Sequence, residues 1–188
     1  MRNKHQGMTL LELLIVLAIV GISVTLAPPT LSKWVYRQES RSNALHILQL
    51  IQYARVQAID RHLPVIICGS NTVSTCTHNW NHGILVFLDK DKNNQVDSEI
   101  DTILRLQPPV SNDGYLIWRA AFGKKYFRAL PSGRISYTGS FTYCPANHDP
   151  HFASQVIVSN TGRPRFAQDK DSDGIIENAR GKPVSCDG

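Results

Sequence analysis

The amino-acid sequence predicts an α+β protein in which a long N-terminal helix packs on an antiparallel β-sheet. A helical pattern runs up to about residue 62, and from residue 63 short apolar and aromatic runs alternate with turn residues. Because the helix precedes the strands instead of alternating with them, an antiparallel sheet is favoured over a parallel one. The length of 188 residues fits one domain, or one domain with an appendage.

The first element is an apolar run over residues 8–27, whose only polar members are Thr9, Glu12, Ser23 and Thr25. As a helix, it is about long enough to span the roughly 30 Å hydrocarbon layer of a membrane. Arg2 and Lys4 precede it, which places the start of the chain in the cytoplasm and the bulk of it across the membrane. Since a lone acid in such a helix is costly, Glu12 is expected to have a function and a partner.

Two simpler interpretations of this run were considered. A secretory signal peptide has a shorter apolar core followed by an A-x-A cleavage site, whereas Pro28 and Pro29 follow Ala27 here. An ordinary signal anchor remains compatible with the run, although it explains neither the small residue Gly7 before it nor Glu12 within it.

The two prolines are expected to interrupt the helix, because proline lacks an N–H donor and clashes with the preceding turn. A helical pattern then resumes over residues 29–62 and ends at Leu63 and Pro64. Its recurring apolar residues are Ala44, Ile47, Leu48, Ile51, Ala54 and Ala58. This amphipathic second half needs a sheet to lie on.

The remainder, residues 63–188, is predicted to be rich in short strands. The predicted strands contain many β-branched and aromatic residues and are separated by Gly, Asn, Asp or Pro. They cover residues 65–68, 84–88, 102–106, 115–118, 126–129, 134–137, 141–144 and 155–159.

The four cysteines, Cys68, Cys76, Cys144 and Cys186, all lie beyond the apolar run. An even count in an oxidising compartment suggests two disulfides, for which three connectivities exist. Proximity in the sequence favours a Cys68–Cys76 bond, which leaves Cys144 to pair with Cys186. Zinc is the alternative because histidines lie nearby, but no pair has the spacing of a zinc finger, so disulfides are favoured.

Two acidic stretches carry oxygen ligands at alternate positions, as calcium loops do. One begins at Asp89, and the other contains Asp169, Asp171 and Asp173 followed by Gly174. The twelfth position of the second stretch is Arg180, where a calcium loop requires a glutamate. The sequence therefore favours solvated turns over calcium sites and predicts no metal, with the second stretch the better candidate.

Positive charge is concentrated between these stretches. The chain as a whole carries a net charge of +5, which is not by itself a nucleic-acid signature. Residues 103–168, however, contain eight Lys and Arg against only two Asp, with aromatic residues interleaved. This clustering indicates a localised basic surface.

The sharpest basic feature is the segment from Gly162 to Arg165, with Pro164 between Arg163 and Arg165. Residues two apart in an extended segment point the same way, so the two guanidinium groups should project together and can bind neighbouring phosphates. Electrostatics adds further candidate DNA-binding residues. These are Lys124, Lys125, Arg128, Arg134, Lys170, Arg180 and Lys182.

No arrangement typical of an enzyme emerges from the sequence. The serines lack an obvious His/Asp frame, the carboxylates lie in polar turns, and no glycine-rich phosphate loop follows a strand. We therefore expect neither enzymatic activity nor a cofactor.

The segment from Gly7 to Glu12 resembles the class III leader of type IV pilins and pseudopilins. This resemblance implies that a membrane peptidase removes residues 1–7 after Gly7 and that the new N-terminus, Met8, is methylated. It also implies the type IV pilin fold, with a transmembrane and assembly helix at residues 8–28. In a filament, Glu12 would pair with the freed amino terminus of a neighbouring subunit.

The order of the body motifs resembles the GspH/FimT group of minor pilins. These motifs are the Cys68 and Cys76 spacing, the apolar run from Gly83 to Asp89, an acidic Asn-rich turn, and the segments 130–134 and 158–163, which both contain Gly-Arg. The Gly-Arg-Pro-Arg segment is similar to the G-R-x-R motif of the FimT pilins, which bind DNA in natural transformation. That resemblance assigns DNA binding to Arg163 and Arg165.

Two functions therefore stay open: a DNA-binding minor pilin of a type IV pilus, and a GspH-like pseudopilin of a type II secretion system. The expected partners are double-stranded DNA, other major and minor pilins, the prepilin peptidase and N-methyltransferase, and the inner membrane. The implied location is a single-pass bacterial inner-membrane protein with a periplasmic domain, incorporated in a pilus or pseudopilus and exposed at the cell surface if the pilus is extruded.

Overall fold

The computed structural model describes residues 9–26, 28–97, 99–109 and 114–187, with residues 24–26 and 28–30 described by their backbone alone. These residues divide into two compact units, one up to Tyr36 and the other, called the body below, from Arg37 onward. Two helices come first in the chain, α1 over Leu10–Leu26 and α2 over Pro28–Arg61.

In the N-terminal unit, Thr9 caps α1, because its hydroxyl oxygen accepts the Glu12 N–H at 3.3 Å. The large apolar side chains of α1 are exposed along its length, Leu10 by 77% and Ile22 by 62%. For the predicted membrane-spanning segment, no helix among the described residues combines the length and the apolar character that crossing a membrane requires. Gly7 and Met8, the predicted cleavage and methylation positions, lie outside the described residues.

In the part of the chain that the structure describes, eight strands follow α2 and form two four-stranded antiparallel sheets. The strands are β1 Val65–Gly69, β2 Ile84–Leu88, β3 Thr102–Gln107, β4 Tyr115–Ala120, β5 Tyr126–Ala129, β6 Gly139–Cys144, β7 Ser154–Val158 and β8 Pro164–Phe166. The first sheet has the order β3-β2-β1-β5, and the second has the order β4-β6-β7-β8.

One apolar core joins α2 to both sheets. From α2 it takes Ala44, Ile47, Leu50, Ile51, Ala54 and Ala58. Leu50 therefore stands in this core where the helical pattern predicted Leu48, which is half-buried. Trp80, Leu116 of β4, Ile135 and alternate residues of β1, β2, β5, β6 and β7 complete the cluster. The α+β prediction of a helix packed on antiparallel strands is confirmed, with two sheets in place of one.

Two details of the predicted strands are corrected. Residues 134–137 form no strand, because only Ile135 is paired there, in an isolated bridge to Ala129. The Ile135 N–H itself donates to the Asn160 carbonyl at 3.0 Å. Conversely, residues 164–166 form an edge strand, the place in a sheet where proline is tolerated.

Both disulfides are those that sequence proximity favoured. Cys68 bonds to Cys76 with a Cα–Cα distance of 5.5 Å, and Cys144 bonds to Cys186 with a Cα–Cα distance of 5.7 Å. The second bond ties the C-terminal tail to the last residue of β6. The Tyr115 hydroxyl also donates to the Cys186 carbonyl, which fixes the tail against β4.

The register of the second sheet defines its two ends. Ala120, Gly139, Val158 and Pro164 lie in one row across β4, β6, β7 and β8. We call this the basic end, together with the turns at residues 121–125, 131–134 and 160–163 that are attached to it. Tyr115 and Cys144 are paired at the opposite end, where β7 also begins.

Candidate nucleic-acid interface

The two Gly-Arg turns, at residues 131–134 and 160–163, are packed against each other, and together they are called the turn pair below. The Ile135 N–H donates to the Asn160 carbonyl at 3.0 Å. The Arg134 guanidinium donates twice to the Asn160 side-chain oxygen, from Nε at 2.9 Å and from Nη2 at 2.7 Å. These bonds hold Arg134 against the turn that precedes Arg163, so two segments distant in sequence form one surface.

The turn pair requires glycine at position 162, both because of the backbone conformation there and because of the atoms that surround it. Gly162 has φ of +77°, a left-handed conformation, and a Cβ placed on it would lie 2.3 Å from the Gly133 carbonyl oxygen. The α2 side chain Arg55 lies in the same contact, and its Nε donates to that carbonyl at 2.8 Å. The turns can therefore approach this closely only because Gly162 carries no side chain.

Arg163 and Arg165 are both exposed, Arg163 just before β8 and Arg165 within it. Arg165 is paired with Ile157, and the same cross-strand row contains Ser140 and Arg119. Since residues directly opposite one another share a face, Arg165 and Arg119 lie on the sheet face away from the core. Strand pairing therefore fixes the sheet face on which Arg165 lies. Arg163 precedes β8 and belongs to the turn at residues 160–163, so strand pairing does not assign it to a face.

The arginines of this surface have no acidic counter-ion among the residues that the structure describes. The ion pairs there join Arg61 to Asp60, Arg128 to Asp89, and His151 to Asp149. Arg134, Arg163 and Arg165 therefore keep their positive charge accessible to a ligand.

Lys124 and Lys125 follow β4 at the basic end. Lys125 is exposed, and the Lys124 Nζ lies 5.3 Å from the centre of the Tyr137 ring, a cation–π distance. Phe122, in the same turn, is 89% exposed with φ of +62°. Adjacent strands are about 4.8 Å apart, so three spacings separate the β4 and β8 sides of the basic end by about 14 Å.

Arg128 does not belong to this surface, contrary to the electrostatic prediction. It lies on β5 with its Nη2 3.9 Å from a carboxylate oxygen of Asp89, and the Asp89 side chain is fully buried. Burial raises the pKa of Asp89, while an N–H from Asn94 and the Arg128 charge oppose that rise. Arg128 is thus occupied as the counter-ion of a buried acid.

The remaining predicted residues lie in the C-terminal tail, beyond β8. Lys170 is part of the second acidic stretch, where its N–H donates to a Glu177 carboxylate oxygen at 2.9 Å. Arg180 and Lys182 lie in the turn between the bridged residues Glu177 and Pro183. All three are exposed, and none is part of the turn pair.

Two basic residues near this surface, Arg55 and Arg119, were not among the predicted site residues. Arg55 is in the middle of α2, and only the tertiary fold brings it to the Gly133 carbonyl. Arg119 was counted among the clustered basic residues but not selected. Its alternation with buried β4 residues could have indicated an outward-facing position, and its Nη2 donates to the Asp187 carbonyl at 3.2 Å.

Comparisons with known proteins agree with this architecture. The sequence model of the family described as type II transport protein GspH matches residues 43–162, and the model of the prokaryotic N-terminal methylation motif matches residues 2–28. No curated protein matches the chain.

Two kinds of solved structure share the fold. The type IV minor pilin FimU of Pseudomonas aeruginosa is 17% identical, with a TM-score of 0.52, and the match covers 78% of this chain and 98% of that one. The minor pseudopilin EpsH from the type II secretion system of Vibrio cholerae is 14% identical, with a TM-score of 0.51, covering 73% and 99%. At these identities the likeness concerns the fold alone. The family match spans more than half of the 188 residues, so the chain belongs to the GspH family and carries the N-terminal methylation motif.

Proposed function

We propose that this chain is a minor pilin that binds double-stranded DNA without sequence preference through its basic end. The observation that carries the proposal is the turn pair, which sets Arg134 next to the turn that bears Arg163. Both side chains are exposed and have no carboxylate partner among the described residues. Guanidinium groups fixed in this way are suited to the phosphate groups of nucleic acid.

The dimensions of the surface fit a DNA backbone. Lys124 and Lys125 lie on one side of the basic end and Arg163 on the other, about 14 Å away by strand spacing. Duplex DNA carries one phosphate charge per roughly 1.7 Å of its axis, so a span of this size faces several phosphates. The basic side chains of this surface suit contacts to phosphate, which carry no sequence information, so little sequence preference is expected.

The proposal is tested by DNA binding of the full chain in detergent micelles, measured by fluorescence anisotropy with a labelled duplex. The Arg163→Ala and Arg165→Ala double variant should bind at least about tenfold more weakly, since two charge-assisted phosphate contacts are lost. Both side chains are exposed, so the variant should melt at the same temperature as the parent.

A matched control removes the same charge elsewhere in the body. Arg37 and Arg41 are exposed on α2. This part of the helix faces the start of β7, because the Ser154 hydroxyl donates to the Ser40 carbonyl at 2.7 Å. The Arg37→Ala and Arg41→Ala variant should keep nearly all of the DNA affinity. Equal losses in the two double variants would reduce the effect to net charge and refute a localised site.

A second candidate function rests on the family itself. The matching family is described as a type II transport protein, and EpsH is a minor pseudopilin. In this alternative the chain is an assembly subunit of a secretion pseudopilus whose partners are other pilins. Deletion of the gene would then abolish protein secretion, whereas the DNA-binding proposal expects loss of transformation with secretion intact.

Both functions share a filament role for Glu12, which lies in the first turn of α1. We infer that Gly7 marks the processing site, that Met8 becomes the methylated N-terminus, and that Glu12 pairs with this terminus of a neighbouring subunit. Glu12→Val should still enter the membrane but should be incorporated poorly into filaments, because the buried terminal charge loses its partner. Immunoblots of sheared filaments measure this, and normal incorporation would overturn the inference.

A further inference from the structure

We propose that residues 169–177, called the acidic loop below, bind a calcium ion through Asp169, Asp171, Asp173 and Glu177. Each of these residues places one carboxylate oxygen so that all four atoms lie within 4.8 Å of one another. Calcium–oxygen distances are about 2.4 Å, so ligands on opposite sides of one ion are about 4.8 Å apart. The four oxygens therefore fit within a single calcium coordination sphere.

Glu177 gives an independent reason to expect a cation. Its side chain is among the buried ones, with only 6% of the residue exposed. One of its oxygens accepts the Lys170 N–H at 2.9 Å, while the other, Oε1, is buried and has no hydrogen-bond partner among the described residues. An unpaired buried carboxylate oxygen is costly, and a bound cation between it and the three aspartates would remove that cost.

The backbone of the acidic loop holds the aspartates in place. Asp169 accepts the N–H of Ser172 at 2.7 Å and that of Gly174 at 2.9 Å, one on each carboxylate oxygen. Gly174, at the sixth position of the loop, has φ of +91° and makes the sharp turn that calcium loops need there. Glu177 is the ninth residue of the loop. It supplies the glutamate carboxylate that a standard calcium loop has at its twelfth position, which is Arg180 here.

The donor set selects calcium over other common ions. Four carboxylates on a loop suit a hard cation that takes six to eight oxygen ligands. Magnesium prefers shorter, nearly octahedral coordination and retains its waters, and zinc prefers nitrogen and sulfur. The first acidic stretch also has a buried carboxylate oxygen without a hydrogen-bond partner, Oδ1 of Asp89. It differs because Asp89 already has Arg128 as a counter-ion and both Asp101 oxygens accept backbone N–H groups, from Lys90 and Asp97.

The position of Glu177 indicates what the ion would do. Glu177 is bridged to Gln168, which follows β8, and also to Pro183 in the tail. A calcium ion held by Glu177 and the aspartates would therefore tie both sides of the tail hairpin to the segment that leaves β8. Binding should order the tail and raise the melting temperature of the whole chain.

The test uses the full chain in detergent micelles, stripped of divalent ions with a chelator and titrated with calcium chloride to about 10 mM, above the range of weak extracellular sites. Calorimetry should show a binding heat, and the melting temperature should rise. Hydrogen exchange should slow at residues 168–183. About a tenfold excess of magnesium should not displace the calcium.

Two loop variants and one control variant test whether calcium binds at the acidic loop. Glu177→Gln keeps an acceptor for the Lys170 N–H, and a double variant with Asp171→Asn and Asp173→Asn alters only exposed side chains; each should weaken calcium binding at least about tenfold. Asp60→Asn, an exposed acid of α2, should change nothing. The proposal is overturned by an absence of heat and of any melting shift, or by calcium binding that survives in both loop variants.

Discussion

The basic end and the acidic loop are joined by β8, a strand of three residues. They differ in the sign of their charged side chains and in the groups that hydrogen-bond to them. At the basic end, arginines donate to backbone carbonyls and to an amide oxygen. In the acidic loop, carboxylates accept backbone N–H groups and one oxygen stays unpaired. Neither set neutralises the other through an ion pair within the described residues. A charged side chain whose hydrogen-bond partners are neutral keeps its net charge. The arginines can therefore still bind an external anion, and the carboxylates can still bind an external cation.

The two disulfides test whether the tail and the basic end are independent, and removal of Cys144–Cys186 should have the largest effect on stability. This bond spans 42 residues, against 8 for Cys68–Cys76. Chain-entropy estimates give roughly 4 kcal/mol for the longer loop and roughly 2.5 kcal/mol for the shorter one. Replacing both cysteines of each pair by serine and measuring denaturant unfolding should reproduce that order.

DNA binding provides the control for the disulfide variants. With Cys144 and Cys186 replaced, the folded chain should keep its DNA affinity while its calcium affinity falls, because the bond anchors the tail and not the turn pair. A parallel loss of both affinities would show that the two regions act as one unit.

Glycine substitutions sharpen the comparison with smaller effects. Gly162→Ala forces a side chain toward the Gly133 carbonyl in a left-handed conformation, which should cost roughly 2–4 kcal/mol. Gly181→Ala meets a similar φ of +73° but open space, so only the conformational cost of roughly 1 kcal/mol is expected. Thermal unfolding of the two variants measures the difference.

The Gly162→Ala and Gly181→Ala variants also distinguish an effect on the packing of the turns from an effect on DNA binding. Gly162→Ala should also weaken DNA binding, because it pushes apart the turns that hold Arg134 and Arg163, whereas Gly181→Ala should not. Equal destabilisation by the two substitutions would mean that the contact between the turns contributes nothing to stability.

The fold was largely predictable from the sequence, because periodicity and turn residues are local signals. The helix that ends near Leu63 and seven of the eight strands came from patterns of that kind. The strand predicted at residues 134–137 was wrong, since only Ile135 is paired there, in an isolated bridge to Ala129. A pattern of apolar residues does not show how far such a pairing extends.

The candidate site was less predictable because its contacts link distant residues. Arg163 and Arg165 were evident as a motif, but the packing of Gly162 on Gly133 depends on the close approach of two turns. Arg128 looked free in the sequence and is in fact the counter-ion of Asp89. Glu177 was not assigned as a ligand because its spacing differs from the pattern of a standard calcium loop.

The central claim, a localised phosphate-binding surface at the basic end, is tested most directly by the salt dependence of DNA binding. The logarithm of the affinity should fall linearly with the logarithm of the salt concentration for the full chain. Each lost phosphate contact makes this negative slope shallower by about 1. The account predicts a slope that is shallower by about 2 for Arg163→Ala with Arg165→Ala, and an unchanged slope for Arg37→Ala with Arg41→Ala. Identical slopes for the parent and both double variants would contradict it.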